Sequence, residues 1–166
     1  PFSDWDISQI AGAYGFSVDN DFESDTSDGG TVLASVNLEQ VVYGSDAPIP
    51  DIKANGSDGP ITIAASDTLS ITIALDAAGN LGNADWWVLG DTPFGGWYHY
   101  DLSTAWLPGA LVTYQGPLGD LSTYQVLNYA GLPTGSYTFY FGVDMNMNAS
   151  IDMGQMYYDS VAVTVR

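Results

Sequence analysis

Apolar residues recur at every second position over several stretches of the chain, which is the period of a β-strand with one buried face. The alternation is clearest over residues 68–76, 136–143 and 157–165. Shorter or weaker runs of the same kind lie at residues 61–65, 84–89, 96–102, 111–115 and 124–128. Clusters of Gly, Pro, Asn and Asp separate these runs and indicate turns. This series of short strands predicts an all-β protein, with two sheets or a barrel around one core.

The first fifty residues follow a different pattern. Ser3 is placed to cap a short helix over residues 4–13. Alternation over residues 31–43 predicts one strand, and a Pro- and Gly-rich stretch at 45–60 predicts a linker or long loop. We therefore expect an N-terminal extension over residues 1–50, with a short helix and a strand, and a β-sandwich over residues 60–166.

One turn and one tryptophan suggest a particular kind of sandwich. The segment Leu132-Pro133-Thr134-Gly135-Ser136-Tyr137 resembles the tyrosine corner of Greek-key sandwiches, in which the Tyr hydroxyl bonds to backbone just upstream. Trp86 or Trp87 fits the core Trp of the third strand in the same pattern. On these motifs, residues 60–166 resemble the immunoglobulin-like accessory modules of secreted bacterial proteins, although the Cys pair of antibody domains is missing. The resemblance implies an immunoglobulin-like Greek-key β-sandwich.

The charge of the chain narrows its possible partners. There are 20 acidic residues against 2 basic ones, a net charge of −18, and no Cys. Such a chain repels nucleic acid and anionic lipid, attracts divalent cations and cannot form a disulfide or a thiolate metal site. No apolar run reaches membrane-spanning length. We expect an extracellular or cell-surface protein with no nucleic-acid partner and no membrane insertion, and a start at Pro1 fits a processed chain. The alternative is that the acids only maintain solubility, as in a saline habitat.

The strongest sign of chemistry is a run of oxygen-bearing side chains directly after residues 136–143. They stand at every second position: Asp144, Asn146, Asn148, Ser150 and Asp152. This spacing resembles the first nine positions of an EF-hand or dockerin-type calcium loop. Ala149 replaces the Gly of that loop, and Gln155 replaces its bidentate Glu. The alternative is a polar hairpin loop whose side chains bond their own backbone.

Other acids are candidates to join this loop or to form a second site. In an immunoglobulin-like sandwich, the loop between the second and third strands lies at the same end as the 144–152 loop. Asp76, Asn83 or Asp85 is therefore expected to approach Asp144 and Asp152. A second possible cation site is the alternating run of Asp19, Asp21, Glu23 and Asp25, for which the alternative is a solvated segment.

Aromatic residues supply a candidate contact surface. Trp87, Trp97, Tyr98 and Tyr100 could stack on sugar rings or anchor a protein partner, or they could simply fill gaps beside glycines. His99 is the only histidine, and no Ser stands in a nucleophile-elbow motif, so we expect no enzyme.

Together these features predict a non-catalytic, extracellular, calcium-binding β-sandwich module that acts in adhesion or surface assembly. Its partner would be a protein or another copy of the chain. One alternative is a structural subunit of an extracellular filament or surface layer, in which residues 1–50 pack on a neighbour. The other is a carbohydrate-binding module.

Overall fold

The structure is a computed structural model, and it describes residues 47–166. The predicted helix at 4–13, the predicted strand at 31–43 and the second candidate cation site lie outside the described residues. They stay predictions.

Ten strands follow one another along the described part of the chain: β1 (Ile49–Ala54), β2 (Ile61–Ile63), β3 (Thr68–Asp76), β4 (Asn83–Thr92), β5 (Gly96–Asp101), β6 (Ala105–Pro108), β7 (Tyr114–Pro117), β8 (Leu121–Ala130), β9 (Gly135–Asp144) and β10 (Met156–Val165). They form a three-stranded sheet in the order β1-β3-β8 and a seven-stranded sheet in the order β2-β10-β9-β4-β5-β6, with β7 paired to β4. Strand β2 runs parallel to β10, whereas neighbours such as β4 and β9 are antiparallel. For residues 47–166, the predicted all-β, two-sheet architecture is confirmed.

The core lies between the two sheets and is built from the apolar faces that the alternation marks. Strand β3 buries every second residue, and β9 and β10 do the same, with Leu69, Ile71, Ile73, Leu75, Tyr137, Phe139, Phe141, Val143, Val161, Val163 and Val165 all in the core. Full burial of a large apolar side chain stabilises a fold by about 1.5–3 kcal/mol. These three strands therefore anchor the sandwich, and β9 leads directly into the candidate calcium loop.

The prediction of a loop throughout residues 45–60 is wrong, because β1 occupies part of that stretch. Its inward residues Ile52 and Ala54 are fully buried. Pro50 lacks a backbone N–H, but β1 is an edge strand among the ten described strands, and a proline is tolerated at an edge. The Ile52 backbone N–H also donates to Asp159 of β10 at 3.0 Å, which ties β1 to the other sheet.

The turn before β9 is fixed by the tyrosine that the sequence marks. The Tyr137 hydroxyl donates a hydrogen bond to the Pro133 carbonyl oxygen at 2.8 Å. Burial raises the pKa of Tyr137, so the hydroxyl stays protonated and remains a donor over the neutral range. This bond sets where β9 begins, and the register of β9 with β4 then places its last residue, Asp144.

Candidate functional site

Two buried carboxylates face each other at the end of the larger sheet. Asp85 of β4 lies directly opposite Asp144 of β9, and both side chains are 0% exposed. Opposed residues of an antiparallel pair project from the same face, with Cβ atoms about 5 Å apart, and like charges so placed repel. The ion pairs among residues 47–166 are those of Lys53 with Asp51 and Asp58, so no basic side chain in this range neutralises the two carboxylates.

Asp85 is joined to the 144–152 loop through backbone amides. Its Oδ2 atom accepts hydrogen bonds from the N–H groups of Asn148 at 3.1 Å and Ala149 at 2.6 Å. Its Oδ1 atom accepts one from the Gln115 side-chain amide at 2.7 Å. Thus one of the three residues expected to approach this loop, Asp85, contacts it directly.

The other two residues have different surroundings. The Asp76 carboxylate accepts a hydrogen bond from the Ala78 N–H at 2.8 Å and so closes its own turn between β3 and β4. Asn83 begins β4 opposite Pro117 and is exposed. The topology therefore brings β4 to the 144–152 loop. The contact is made by Asp85 within the strand and not by Asp76 or Asn83 at the ends of the preceding turn.

The five residues predicted from their spacing belong to one hydrogen-bonded loop between β9 and β10. Asp144 accepts from the backbone N–H groups of Asn146 at 2.9 Å and Asp152 at 2.6 Å. The Asp152 Oδ2 atom accepts from the side-chain amides of Asn146 at 2.6 Å and Asn148 at 2.9 Å. The Ser150 N–H donates to Asn148 Oδ1 at 2.8 Å. Together these hydrogen bonds close the loop on itself.

Ala149 takes the conformation that calcium loops assign to glycine. Its φ is 59°, in the left-handed region. A residue with a Cβ atom is disfavoured there by about 1–2 kcal/mol, and the invariant Gly of the EF-hand loop avoids that penalty. The short bond from the Ala149 N–H to Asp85 holds the turn in place despite the strain. The alanine therefore changes the stability of the sharp turn and not its shape.

We expect the Ala149→Gly variant to be more stable than the parent by about 1 kcal/mol, because it removes this strain. Urea denaturation followed by tryptophan fluorescence measures the difference. Ala105→Gly is the matched control, since Ala105 has a φ of 63° at the first position of β6, outside the loop. Both variants should gain stability, and only Ala149→Gly should also strengthen the response to calcium. A loss of stability in Ala149→Gly alone would show that the turn does not need this conformation.

The donor types of the loop fit calcium, whereas their present contacts are those of a hydrogen-bonded hairpin. Carboxylate, amide and hydroxyl oxygens are the ligands that calcium prefers. However, no group of three or more His, Cys, Asp or Glu side chains within the described residues is placed to hold a metal ion. The Asn146 and Asn148 amides donate to Asp152, so they would have to turn their oxygens inward to bind a cation. Rotation of these amides is favoured by the Asp85–Asp144 pair, because the two carboxylates have no basic partner among residues 47–166 and would attract a cation.

The four aromatic residues predicted to contact a ligand do not share one surface. Trp87 is buried, while Trp97 is exposed on the same face of the larger sheet, with its ring centroid 5.6 Å from that of Tyr140. Tyr98 and Tyr100 follow Trp97 on β5 at positions one and three further on, so they project from the opposite face. They cannot form a single platform with the tryptophans.

Tyr98 instead lines a groove that the sequence does not mark. The groove has a volume of about 660 Å³ and lies between β8 and the sheet of β4, β5 and β6. Its six aromatic lining residues come from four strands and the turn before β5: Phe94, Tyr98, Trp106, Tyr129, Tyr137 and Phe139. No Asp, Glu, Lys or Arg is among its lining residues. Sequence spacing could not reveal it, because it forms where two sheets of unequal width meet.

Two contacts, one from β6 and one from β5, close the space towards β8 beside the groove. The Trp106 indole N–H donates to the Val126 carbonyl oxygen at 2.8 Å. The hydroxyl oxygens of Tyr100 and Tyr124 are 3.3 Å apart, and this hydrogen bond raises the pKa of Tyr100 to about 12. Beyond them, the groove continues along Leu127, Asn128 and Tyr129 of β8.

Comparison of the chain with protein-family models, curated proteins and solved structures gives no significant match. Within the part that the structure describes, no helix is long and apolar enough to cross a membrane.

Proposed function

We propose that this protein contains a calcium-stabilised, immunoglobulin-like β-sandwich module that acts outside the cell, without catalysis, in adhesion or surface assembly. The observation that carries the proposal is the pair of fully buried carboxylates, Asp85 and Asp144, which face each other with no basic partner among residues 47–166. A divalent cation would convert their repulsion into a shared attraction.

The strand order supports the immunoglobulin-like assignment. In variable-type domains one sheet contains strands A, B and E, and the other contains G, F and C followed by two added strands. The orders β1-β3-β8 and β10-β9-β4-β5-β6 follow the same arrangement. Trp86 on β4 packs towards the core with its ring centroid 6.1 Å from that of Phe141, as the Trp of strand C does in that fold.

The residues that would hold the ion are those of the loop and its partner on β4. Asp85, Asp144 and Asp152 would supply charge, and Asn146, Asn148 and Ser150 would supply neutral oxygens. When bound, calcium supplies positive charge that neutralises the carboxylates and orders the loop. An exported module needs only weak affinity for this, because calcium sites of extracellular modules have dissociation constants of about 10⁻⁴–10⁻³ M.

The overall charge supports a role in contacts outside the cell. With a net charge of −18, the chain is suited to a calcium-rich medium in which its carboxylates are screened and bound. The calcium end of the sandwich would be rigid, and the aromatic groove at the β8 edge would remain available for a partner. This division between a rigid end and an accessible groove is suited to an adhesion or assembly module.

Thermal unfolding with and without calcium tests the proposal. At a hundredfold excess over the dissociation constant, a ligand stabilises the folded state by about 2.7 kcal/mol. We therefore expect the melting temperature in 10 mM calcium to be about 5–10 °C higher than in EDTA. Magnesium at the same concentration should give a smaller shift, because it dehydrates reluctantly and demands octahedral geometry. Sodium chloride of matched ionic strength controls for screening. Equal melting temperatures in calcium and EDTA would refute the proposal.

A further inference from the structure

The open edge of β8 faces the aromatic groove, and we propose that this edge and groove form a docking site for one extended segment of a partner protein. The segment would pair with the backbone of residues 127–130 and place apolar side chains in the groove. Basic residues would flank its paired part. This mode of recognition adds a strand to an existing sheet, so backbone hydrogen bonds give affinity and alternate side chains give specificity.

Among residues 47–166, nothing pairs with the outer side of this part of β8. Strand β8 is the last strand of its sheet, and none of the ten described strands pairs with its other side. The pairing of β3 with β8 is irregular near Thr72 and Leu75 but regular from Thr68 to Ile71, opposite residues 127–130 of β8. The regular half of the edge is therefore the half that opens into the groove.

The edge also lacks the features with which proteins block unwanted strand pairing. Natural edge strands are commonly protected by charged residues, especially Lys, or by Pro. Strand β8 reads LSTYQVLNYA and contains neither a charged residue nor a Pro, in a chain with 20 acidic residues. A ten-residue edge free of charge in so acidic a protein is suited to receive a strand.

The unequal widths of the two sheets favour a single added strand, rather than a second copy of the chain, as the occupant of the site. The larger sheet continues beyond β4 with β5 and β6, and Tyr98 and Trp106 of these strands line the groove beside β8. One added strand needs about 5 Å beside its neighbour, and the groove next to β8 provides a volume of about 660 Å³ for it. A second copy meeting β8 edge to edge would bring its own wide sheet against the β5–β6 hairpin. In constant-type immunoglobulin sheets this position is filled by strand D, next to strand E.

The side chains around the open edge define the chemistry of the segment. Phe94 and Tyr129 line the groove and are 69% and 52% exposed, so they offer apolar surface that a ligand can cover. With no charged group in the lining, a charged side chain entering the groove would lose its hydration without gaining a partner. The inserted side chains are therefore aliphatic or aromatic.

A carboxylate stands at the rim of the groove. Asp101 accepts hydrogen bonds from the hydroxyl groups of Ser103 and Thr104 at 2.6 Å and 2.9 Å, and Thr104 is part of the groove lining. These bonds and those from the backbone hold the pKa of Asp101 well below its usual range, so it stays charged. Together with the net charge of −18, this carboxylate selects Lys or Arg beside the inserted segment.

This site is separate from the calcium loop. Tyr137 and Phe139, near the start of β9, line the groove, whereas Asp144 at the other end of β9 belongs to the loop. The proposal extends the suggested role in adhesion or assembly, and only its comparison with strand D uses the immunoglobulin-like assignment. Binding is therefore expected in EDTA as well as in calcium, so the two proposals can fail independently.

A displayed library of random dodecapeptides, selected on the full chain, tests the inference. Counter-selection uses a Phe94→Ala/Tyr129→Ala double variant, and Tyr158→Ala is the matched control, because Tyr158 is 51% exposed on β10 and does not line the groove. We expect selected peptides to alternate apolar residues and to carry Lys or Arg at their ends. Peptide binding should be at least tenfold weaker to the double variant and unchanged to Tyr158→Ala. It should also weaken at least tenfold when alternate peptide amides are N-methylated or when the basic end residues are exchanged for Glu.

Amide chemical shifts of the labelled chain should change at residues 127–130 when such a peptide binds, and the melting temperature of the double variant verifies that it folds. Three results would overturn the inference. The first is no enrichment over the double variant, and the second is binding that survives N-methylation. The third is concentration-dependent self-association of the chain that the double variant abolishes, which would identify a second copy as the occupant.

Discussion

An Asp85→Asn variant should be at least as stable as the parent in EDTA and should lose most of its stabilisation by calcium. The amide can keep one oxygen towards the N–H groups of Asn148 and Ala149, while its NH₂ group faces Gln115, whose amide can rotate to accept. The substitution thus retains the hydrogen bonds and removes the charge that faces Asp144. Melting curves in 10 mM calcium and in EDTA measure both effects.

Asp85→Ala separates the hydrogen bonds from the charge. It leaves three donors around a buried position without an acceptor, and each such loss is worth about 1–3 kcal/mol. We therefore expect a loss of about 3 kcal/mol or more in EDTA, where Asp85→Asn loses nothing. The difference between the two variants is the contribution of the loop-closing hydrogen bonds.

Asp91→Asn provides the control. Asp91 lies on the same strand and is exposed, and its substitution removes the same charge at a distance from the loop. It should respond to calcium as the parent does. If Asp85→Asn were stabilised by calcium as strongly as the parent, the buried pair would not be the cation site. If it were much less stable in EDTA, the two carboxylates would not repel each other in the folded chain.

The sequence predicts the core strands well because their burial is one-sided. Leu69, Ile71 and Ile73 alternate with polar residues, and one face of β3 is indeed buried. The sequence does not predict β1 as a strand, since Pro50 and the following Asn55-Gly56 indicate a loop. An edge strand tolerates such residues, and only its pairing with β3 reveals it.

The loop residues follow from local spacing, but their main partner does not. Asp144 and Asp152 are eight positions apart and share one loop, so their proximity can be read from the chain. Asp85 reaches that loop across 63 residues, through the register of β4 with β9. Topological reasoning limits the partner to three candidates, and only the register selects Asp85. The groove is less predictable still, because it depends on the difference in width between two sheets.

A Trp106→Ala variant is expected to lose about 3 kcal/mol of stability, because this side chain connects the two sheets beside the groove. The Trp106 ring packs edge-on against Tyr100 and Phe139, with centroid separations of 5.9 Å and 5.8 Å. Its indole N–H also donates to Val126 on the opposite sheet. Truncation removes the packing and the hydrogen bond together. Urea denaturation, with the slope checked for two-state behaviour, measures the loss.

Trp106→Phe divides this loss into its two parts. The phenyl ring retains much of the packing, so the expected loss is about 0.5–1.5 kcal/mol, the net contribution of one hydrogen bond. Trp97→Phe is the control, since Trp97 is exposed on the other face of β5 and its replacement should change stability little. If Trp106→Phe were as destabilised as Trp106→Ala, the indole hydrogen bond would be the main connection between the sheets. If neither variant lost stability, the larger sheet would not depend on Trp106 to remain closed over β8, and the groove beside it would have no fixed wall.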